Sequence, residues 1–155
     1  VSEILFYHLT ETSLEQVLPS LIMRSIERGW NVALQCPDEE ICKKLDIFLW
    51  TFAERSFLPH GTVSDDYPEE QPVLLSLDDK NRNNAYVGFS VAGAIAENPQ
   101  NYRRLCVIFD GQNAEELQRA RLAWKKWSGE EEGGKKCYEL TYWQQTPDRK
   151  WEKKA

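Results

Sequence analysis

The stretch ILFYHLTETSLEQVLPSLIMRSIERGWNVALQCPDEEICKKLDIFLWTF, residues 4–52, decides the fold. Ile4 to Leu9 is a short apolar run of the kind that fills a buried strand. Ser13 with Gln16 three residues on has the form of a capping box, and Leu14, Val17, Leu18, Leu21, Ile22 and Ile26 recur at helical spacing. Arg28 and Gly29 then read as a stop. Pro19 is expected to bend that helix or delay its start, because proline lacks the N–H an interior helical position donates. Trp30 to Cys36 reads as a second buried strand, and Pro37-Asp38-Glu39-Glu40 as the entry and acidic first turn of a helix to about Phe52. Strand, helix, strand, helix in this span favours crossover units and a parallel sheet between helices, so the predicted class is α/β.

Outward from that core, Ala53 to Gln71 is read as a long surface loop, with Pro59, Gly61 and Pro68 around the acids Asp65, Asp66, Glu69 and Glu70. Pro72 to Leu77, Ala85 to Phe89 and Leu105 to Phe109 are predicted strands. Asn113 with Glu116 opens a helix through about Trp127, which Gly129, Glu130-Glu131-Glu132 and Gly133-Gly134 end. Cys137 to Trp143 alternates as a final strand, and a basic tail follows. With 155 residues, 41% hydrophobic and 12% aromatic, the chain is expected to form a single domain over residues 1–155. No apolar run approaches the roughly 20 residues that span a bilayer, and the first residues carry no basic, signal-like region. The expectation is a cytoplasmic protein with no membrane partner.

A sheet of this size invites a nucleotide, yet the phosphate-binding loop is missing. The first strand runs into Thr10-Glu11-Thr12-Ser13, with no glycine for close backbone approach and an acid where phosphate would sit. Gly88 and Gly93 have the spacing of a Walker loop, but Ala94-Ile95 replaces its Lys-Ser/Thr pair. The expected fold is therefore a three-layer, nucleotide-binding-like (Rossmann-like) one without its nucleotide site. No nucleophile elbow and no paired metal-binding histidines occur, and Cys36, Cys42, Cys106 and Cys137 form no CxxC pair. No catalytic residue, metal or cofactor is expected.

Charge is unevenly placed. Residues 1–118 hold 9 basic and 19 acidic side chains, net −10, while residues 119–155 hold 10 and 6, net +4. An acidic body repels a phosphate backbone but leaves room for a local basic site.

Two aromatic surfaces stand out. On the second helix Ile41, Leu45, Phe48, Leu49 and Phe52 make one apolar stripe, and at 100° per residue Trp50 falls outside it. Trp50 is expected to point outward, near Phe57, Leu58, Pro59 and His60, either as an interface or covered by the loop itself. On the third helix Arg119, Arg121, Trp124, Lys125, Lys126 and Trp127 fall in a span with no acid, and Arg121, Trp124 and Lys125 can share one face. A guanidinium fork, an ammonium and an aromatic wall suit a carboxylate beside an apolar side chain, or stacked single-stranded bases. Equally, Trp124 or Trp127 belongs to the core and the cations complement the helix C-terminus.

These residues also carry a resemblance. Phe6-Tyr7, Gly29-Trp30, Leu45-Asp46-Ile47-Phe48-Leu49-Trp50, Ser56-Phe57-Leu58-Pro59-His60-Gly61, Arg121-Leu122-Ala123-Trp124-Lys125 and Leu140-Thr141-Tyr142-Trp143-Gln144-Gln145 occur in this order. Together they resemble the chi subunit family of bacterial DNA polymerase III. The resemblance implies a non-catalytic adaptor of the clamp-loader complex that holds the acidic C-terminal tail of single-stranded DNA-binding protein, which ends in a Pro-Phe carboxylate. It implies that Arg121 pairs with the terminal carboxylate, that Trp124 walls the Phe pocket and that Lys125 attracts the upstream acids, with Trp151 and Lys153 completing the site. It further implies that Trp50 and Phe57, with Pro59 and His60, face the psi subunit or another clamp-loader component, and that DNA is met only indirectly. The alternatives are a direct single-stranded DNA binder and an enzyme of nucleotide metabolism with a degenerate site.

Overall fold

Continuous apolar runs become strands buried on both faces, and the amphipathic stretches between them become helices laid across the sheet. The computed structural model describes residues 2–56 and 60–155, and of residues 52–56 the backbone alone. Strand β1 (Ser2–Leu9) leads into helix α1 (Leu14–Glu27), where the Ser13 N–H donates to Gln16 Oε1 at 2.9 Å. The helix starts at Leu14 despite Pro19, which lies inside it and is buried. It ends as predicted: Gly29 N–H donates to Ile26 O at 2.9 Å and Trp30 N–H to Ser25 O at 3.0 Å, the paired bonds of a glycine C-cap. Strand β2 (Val32–Gln35) and helix α2 (Glu39–Ser56) follow, with Asp38 Oδ1 accepting the Ile41 N–H at 2.8 Å.

The remaining elements are β3 (Gly61–Thr62), β4 (Val73–Ser76), β5 (Val87–Val91), β6 (Arg104–Asp110), α3 (Ala114–Ser128), β7 (Glu131–Glu132), β8 (Lys135–Lys136), β9 (Tyr138–Gln145) and β10 (Trp151–Lys153). Eight strands form one sheet in the order β10-β9-β1-β6-β5-β2-β4-β3, every neighbour parallel except the antiparallel β9–β10 edge. The fold is thus α/β, with a mostly parallel sheet and, among the described residues, three helices.

Strand alternation divides the core. Leu5, Leu9, Leu34, Val73, Leu75, Val87, Phe89 and Ile108 pack with Leu18 and Ile22 of α1 and with Leu45 and Leu49 of α2. On the opposite face Ile4, Phe6, Leu105, Val107 and Phe109 pack with Ala120, Ala123 and Trp127 of α3. Burial of one such large apolar side chain contributes about 1.5–3 kcal/mol.

Three local readings are corrected. The loop from Ala53 is shorter than expected, because α2 runs on to Ser56 and Gly61–Thr62 adds a two-residue edge strand on β4. The Glu130–Gly134 stretch does not simply end α3: β7 and β8 pair as a hairpin, Glu131 opposite Lys136 and Glu132 opposite Lys135, around Gly133 and Gly134 at φ 60° and 78°. And β9 is not the final strand, since part of the basic tail turns back as β10, with Trp151 opposite Gln145 and Lys153 opposite Trp143.

Candidate functional site

At the carboxyl ends of β1 and β6, where a nucleotide-binding sheet holds its phosphates, the chain fills the place itself. The N–H groups of Thr10, Glu11 and Thr12 all donate to Gln145 Oε1, at 3.1, 3.1 and 3.2 Å. A small cavity of about 200 Å³ beside them is lined by Glu15, Asp110 and Glu116. Burial raises the Glu116 carboxyl above its ordinary value, although it accepts the Asp110 N–H at 3.2 Å. Turn donors already engaged by an amide, with three carboxylates around them, suit no phosphate.

The α3 surface is different. Asn113 Oδ1 caps the helix by accepting the Glu115 and Glu116 N–H groups, both at 3.1 Å. From that start the helix buries Ala120, Ala123 and Trp127, half-buries Trp124, and exposes Arg121 and Lys125. Trp127 is therefore core, while Trp124 stands edge-on to Phe6 and Tyr142, with ring centroids 5.3 and 5.7 Å apart. Between α3 and β9 runs an open groove of about 440 Å³, lined by Trp124, Ser128, Lys136, Tyr138, Glu139 and Leu140. Among the described residues Arg121 and Lys125 meet no carboxylate within ion-pair distance. Arg119, by contrast, is held back by donating to Gly93 O at 3.2 Å.

From one turn before Trp124 on α3, the charge of Arg121 acts on two groups that sequence reasoning did not single out. His8 Nδ1 lies 2.7 Å from the Tyr142 hydroxyl. Burial, and then the Arg121 charge, hold His8 below its ordinary pKa, with Asp110 opposing. Burial raises Tyr142, with Arg121 opposing. Alternation along β1 and β9 places both side chains on the α3 face, but only the β1–β9 pairing brings them together.

Trp151 and Lys153 are not brought to this face. Trp151 packs edge-on against Tyr7, centroids 5.0 Å apart, in the cluster on the α1 side of the sheet. Lys153 shares that side by alternation along β10. Trp50 does point outward, 54% exposed beside Ile47 at 66%. His60 is buried beneath it, ring centroids 4.4 Å apart, with Nε2 3.3 Å from Asp46 Oδ1. Phe57 and Pro59 lie outside the described residues.

The family model described as DNA polymerase III chi subunit, HolC, matches residues 1–132, which include α3 and end before β9 and β10. The probable DNA polymerase III subunit chi of Rickettsia prowazekii (strain Madrid E) is 27% identical over 81 residues, 52% of this chain and 49% of that protein. The DNA polymerase III subunit chi of Pseudomonas aeruginosa (strain PAO1) is 37% identical over 62 residues, 40% of this chain and 42% of that protein. The chain thus spans about half the length of the curated relatives it matches. It belongs to the chi subunit family of DNA polymerase III.

Proposed function

We propose that this chi-family chain is a non-catalytic adaptor of the replicase, and that its α3 face holds the acidic C-terminal tail of single-stranded DNA-binding protein. The observation that carries the reading is Arg121: exposed, without an ion-pair partner among the described residues, and one turn from a half-buried Trp124 at the mouth of a groove. A guanidinium takes a terminal carboxylate through two parallel N–H donors. The groove walled by Trp124, Tyr138 and Leu140 then receives the last, aromatic side chain. Lys125 attracts the acids upstream, which reach Lys153 and Trp151 only by passing round the β10 edge. The acidic body keeps the chain from competing for DNA, so DNA is met through the coated strand. Many displayed tails turn individually weak contacts into firm attachment.

The outward face of α2 at Ile47 and Trp50, continuous in sequence with Phe57, Pro59 and His60, is the proposed seat of the psi subunit or another clamp-loader component. Exposed aromatic side chains of this size anchor interfaces.

The test is titration of the full chain into a labelled peptide of the tail's last ten or so residues, beside the same peptide without its terminal Phe, at several salt concentrations. Micromolar-range binding that needs the Phe and weakens with salt is expected. A folded chain that binds both peptides equally, or neither, overturns the assignment.

A further inference from the structure

Ile4, Phe6 and His8 face α3 from β1, and Leu140, Tyr142 and Gln144 face it from β9, by the alternation of each strand. The parallel register sets Phe6 against Tyr142 and His8 against Gln144, so the phenol reaches diagonally to the imidazole. His8 is held there on several sides. Its Nδ1 is 2.7 Å from Tyr142 Oη, the two rings meet edge-on at 5.9 Å, and the Phe109 ring lies 5.0 Å away. Gly111 closes the remaining side so tightly that a methyl group there would overlap the imidazole. Arg121 lies on α3 one turn before Trp124, whose ring centroid is 5.7 Å from that of Tyr142, and its charge acts on both members of the pair.

We propose that His8 and Tyr142 are a positioning pair for the carboxylate bound at Arg121, with the Tyr142 hydroxyl passed from His8 to the incoming carboxylate. This rests on the reading of Arg121 as a carboxylate site. In the empty site neutral His8 accepts the Tyr142 O–H at Nδ1. When a carboxylate arrives, His8 takes a proton from solvent and both ring nitrogens become donors. Nδ1–H then donates to Tyr142 Oη, and the phenol, keeping its own proton, donates to the carboxylate. The carboxylate also neutralises Arg121, one of the causes that keep His8 uncharged.

The other groups around His8 do not supply this exchange. Asp110, at the end of β6, favours the charged imidazole with or without ligand. On β10, Glu152 shares the face by its register with Gln144 and is paired with Lys154 at 3.5 Å. Gln144 and Phe109 carry no charge.

Binding and proton uptake are reciprocal, so affinity must rise as the pH falls through the interval between His8's free and liganded pKa values. Burial, and then the Arg121 charge, hold the free value below the ordinary imidazole one. Between pH 5.5 and 8 the peptide's own carboxylates stay ionised, since they titrate near 3.5 to 4.

The experiment is calorimetric titration of the full chain with the tail peptide from pH 5.5 to 8, in buffers of different ionisation enthalpy, for wild type, His8→Gln and Tyr142→Phe. Each variant's melting curve is recorded. The expected result is proton uptake on binding by wild type and affinity about fivefold tighter at pH 5.5 than at 7.5. The dependence is lost in His8→Gln, reduced in Tyr142→Phe, and absent with a peptide whose C-terminus is an amide. Wild-type binding without proton uptake overturns the proposal, whatever the variants do. So does an unchanged pH profile in either folded variant. Absence of wild-type binding at every pH refutes the carboxylate site itself, and this proposal with it.

Discussion

Gln145 closes the turn after β1 onto Thr12: its Nε2 donates to Thr12 Oγ1 at 2.6 Å, while its Oε1 accepts the N–H groups of Thr10, Glu11 and Thr12. Gln145 is 5% exposed, while Thr10 and Thr12 are half-buried and Glu11 is exposed. Replacing Gln145 by Leu keeps the volume and removes the acceptor, which should destabilise the fold by about 2 kcal/mol. Gln145→Glu, which still presents an oxygen to the three N–H groups, should lose less. Urea unfolding measures both, and a Leu variant as stable as wild type would show that the turn holds itself.

A methyl group at Gly111 has no room beside His8 and comes within 3.0 Å of Leu9 O. Gly111→Ala should therefore cost about 1–3 kcal/mol, the usual range for overpacking. Adding His8→Ala frees the space, so the double variant should be more stable than the two single changes predict by addition. Thermal melts of the four proteins decide it, and strict additivity would remove His8 as the obstacle.

Arg121 and Lys125 are exposed and, among the described residues, free of ion pairs. Neither Arg121→Ala nor Lys125→Ala should change the melting temperature by more than about 1 °C. Their effects on tail-peptide binding should differ. Loss of the guanidinium removes a charge-assisted bond of about 1.5–3 kcal/mol and should weaken binding roughly 10- to 100-fold. Loss of the ammonium should weaken it only a few-fold at low salt, and hardly at all at about 0.5 M salt, where exposed charges are screened. Equal losses in the two variants at both salt concentrations would overturn this division of roles.

Trp151 lies against Tyr7 on the α1 side of the sheet, and Trp50 lies on the outer face of α2. Trp151→Ala should lower stability by about 1–3 kcal/mol and leave affinity for a short tail peptide within about twofold of wild type. Trp50→Ala should also leave that affinity unchanged. A large loss of binding in either folded variant would mean that the peptide extends beyond the α3 face.

The elements from β1 to α2, and the start of α3, were legible because hydrophobic period and capping are local. Ser13 with Gln16, Gly29, Asp38 and Asn113 each act within a few residues of the helix end they mark. The uneven charge and the Arg121, Trp124 and Lys125 grouping are equally local, since one helical turn joins them. The α/β class, the missing phosphate loop and the grouping of cations with tryptophans on the third helix were therefore legible in sequence alone, while which tryptophan is core was decided by the packing of the helix on the sheet. Strands β3, β7, β8 and β10 escaped because two or three residues carry no period, and such a strand exists only by pairing with a neighbour. Only the tertiary structure decided which strands are neighbours. Alternation assigns a residue to one side of its own strand, but says nothing of what lies beside it. Pairing β1 with β9 placed Tyr142 against His8 and brought Gln145 onto the turn after β1. Pairing β10 with β9 turned Trp151 to the side opposite Trp124. The contacts across β1 and β9 join residues more than a hundred positions apart, and they are settled by the packing of whole sheet faces rather than by any local run of residues.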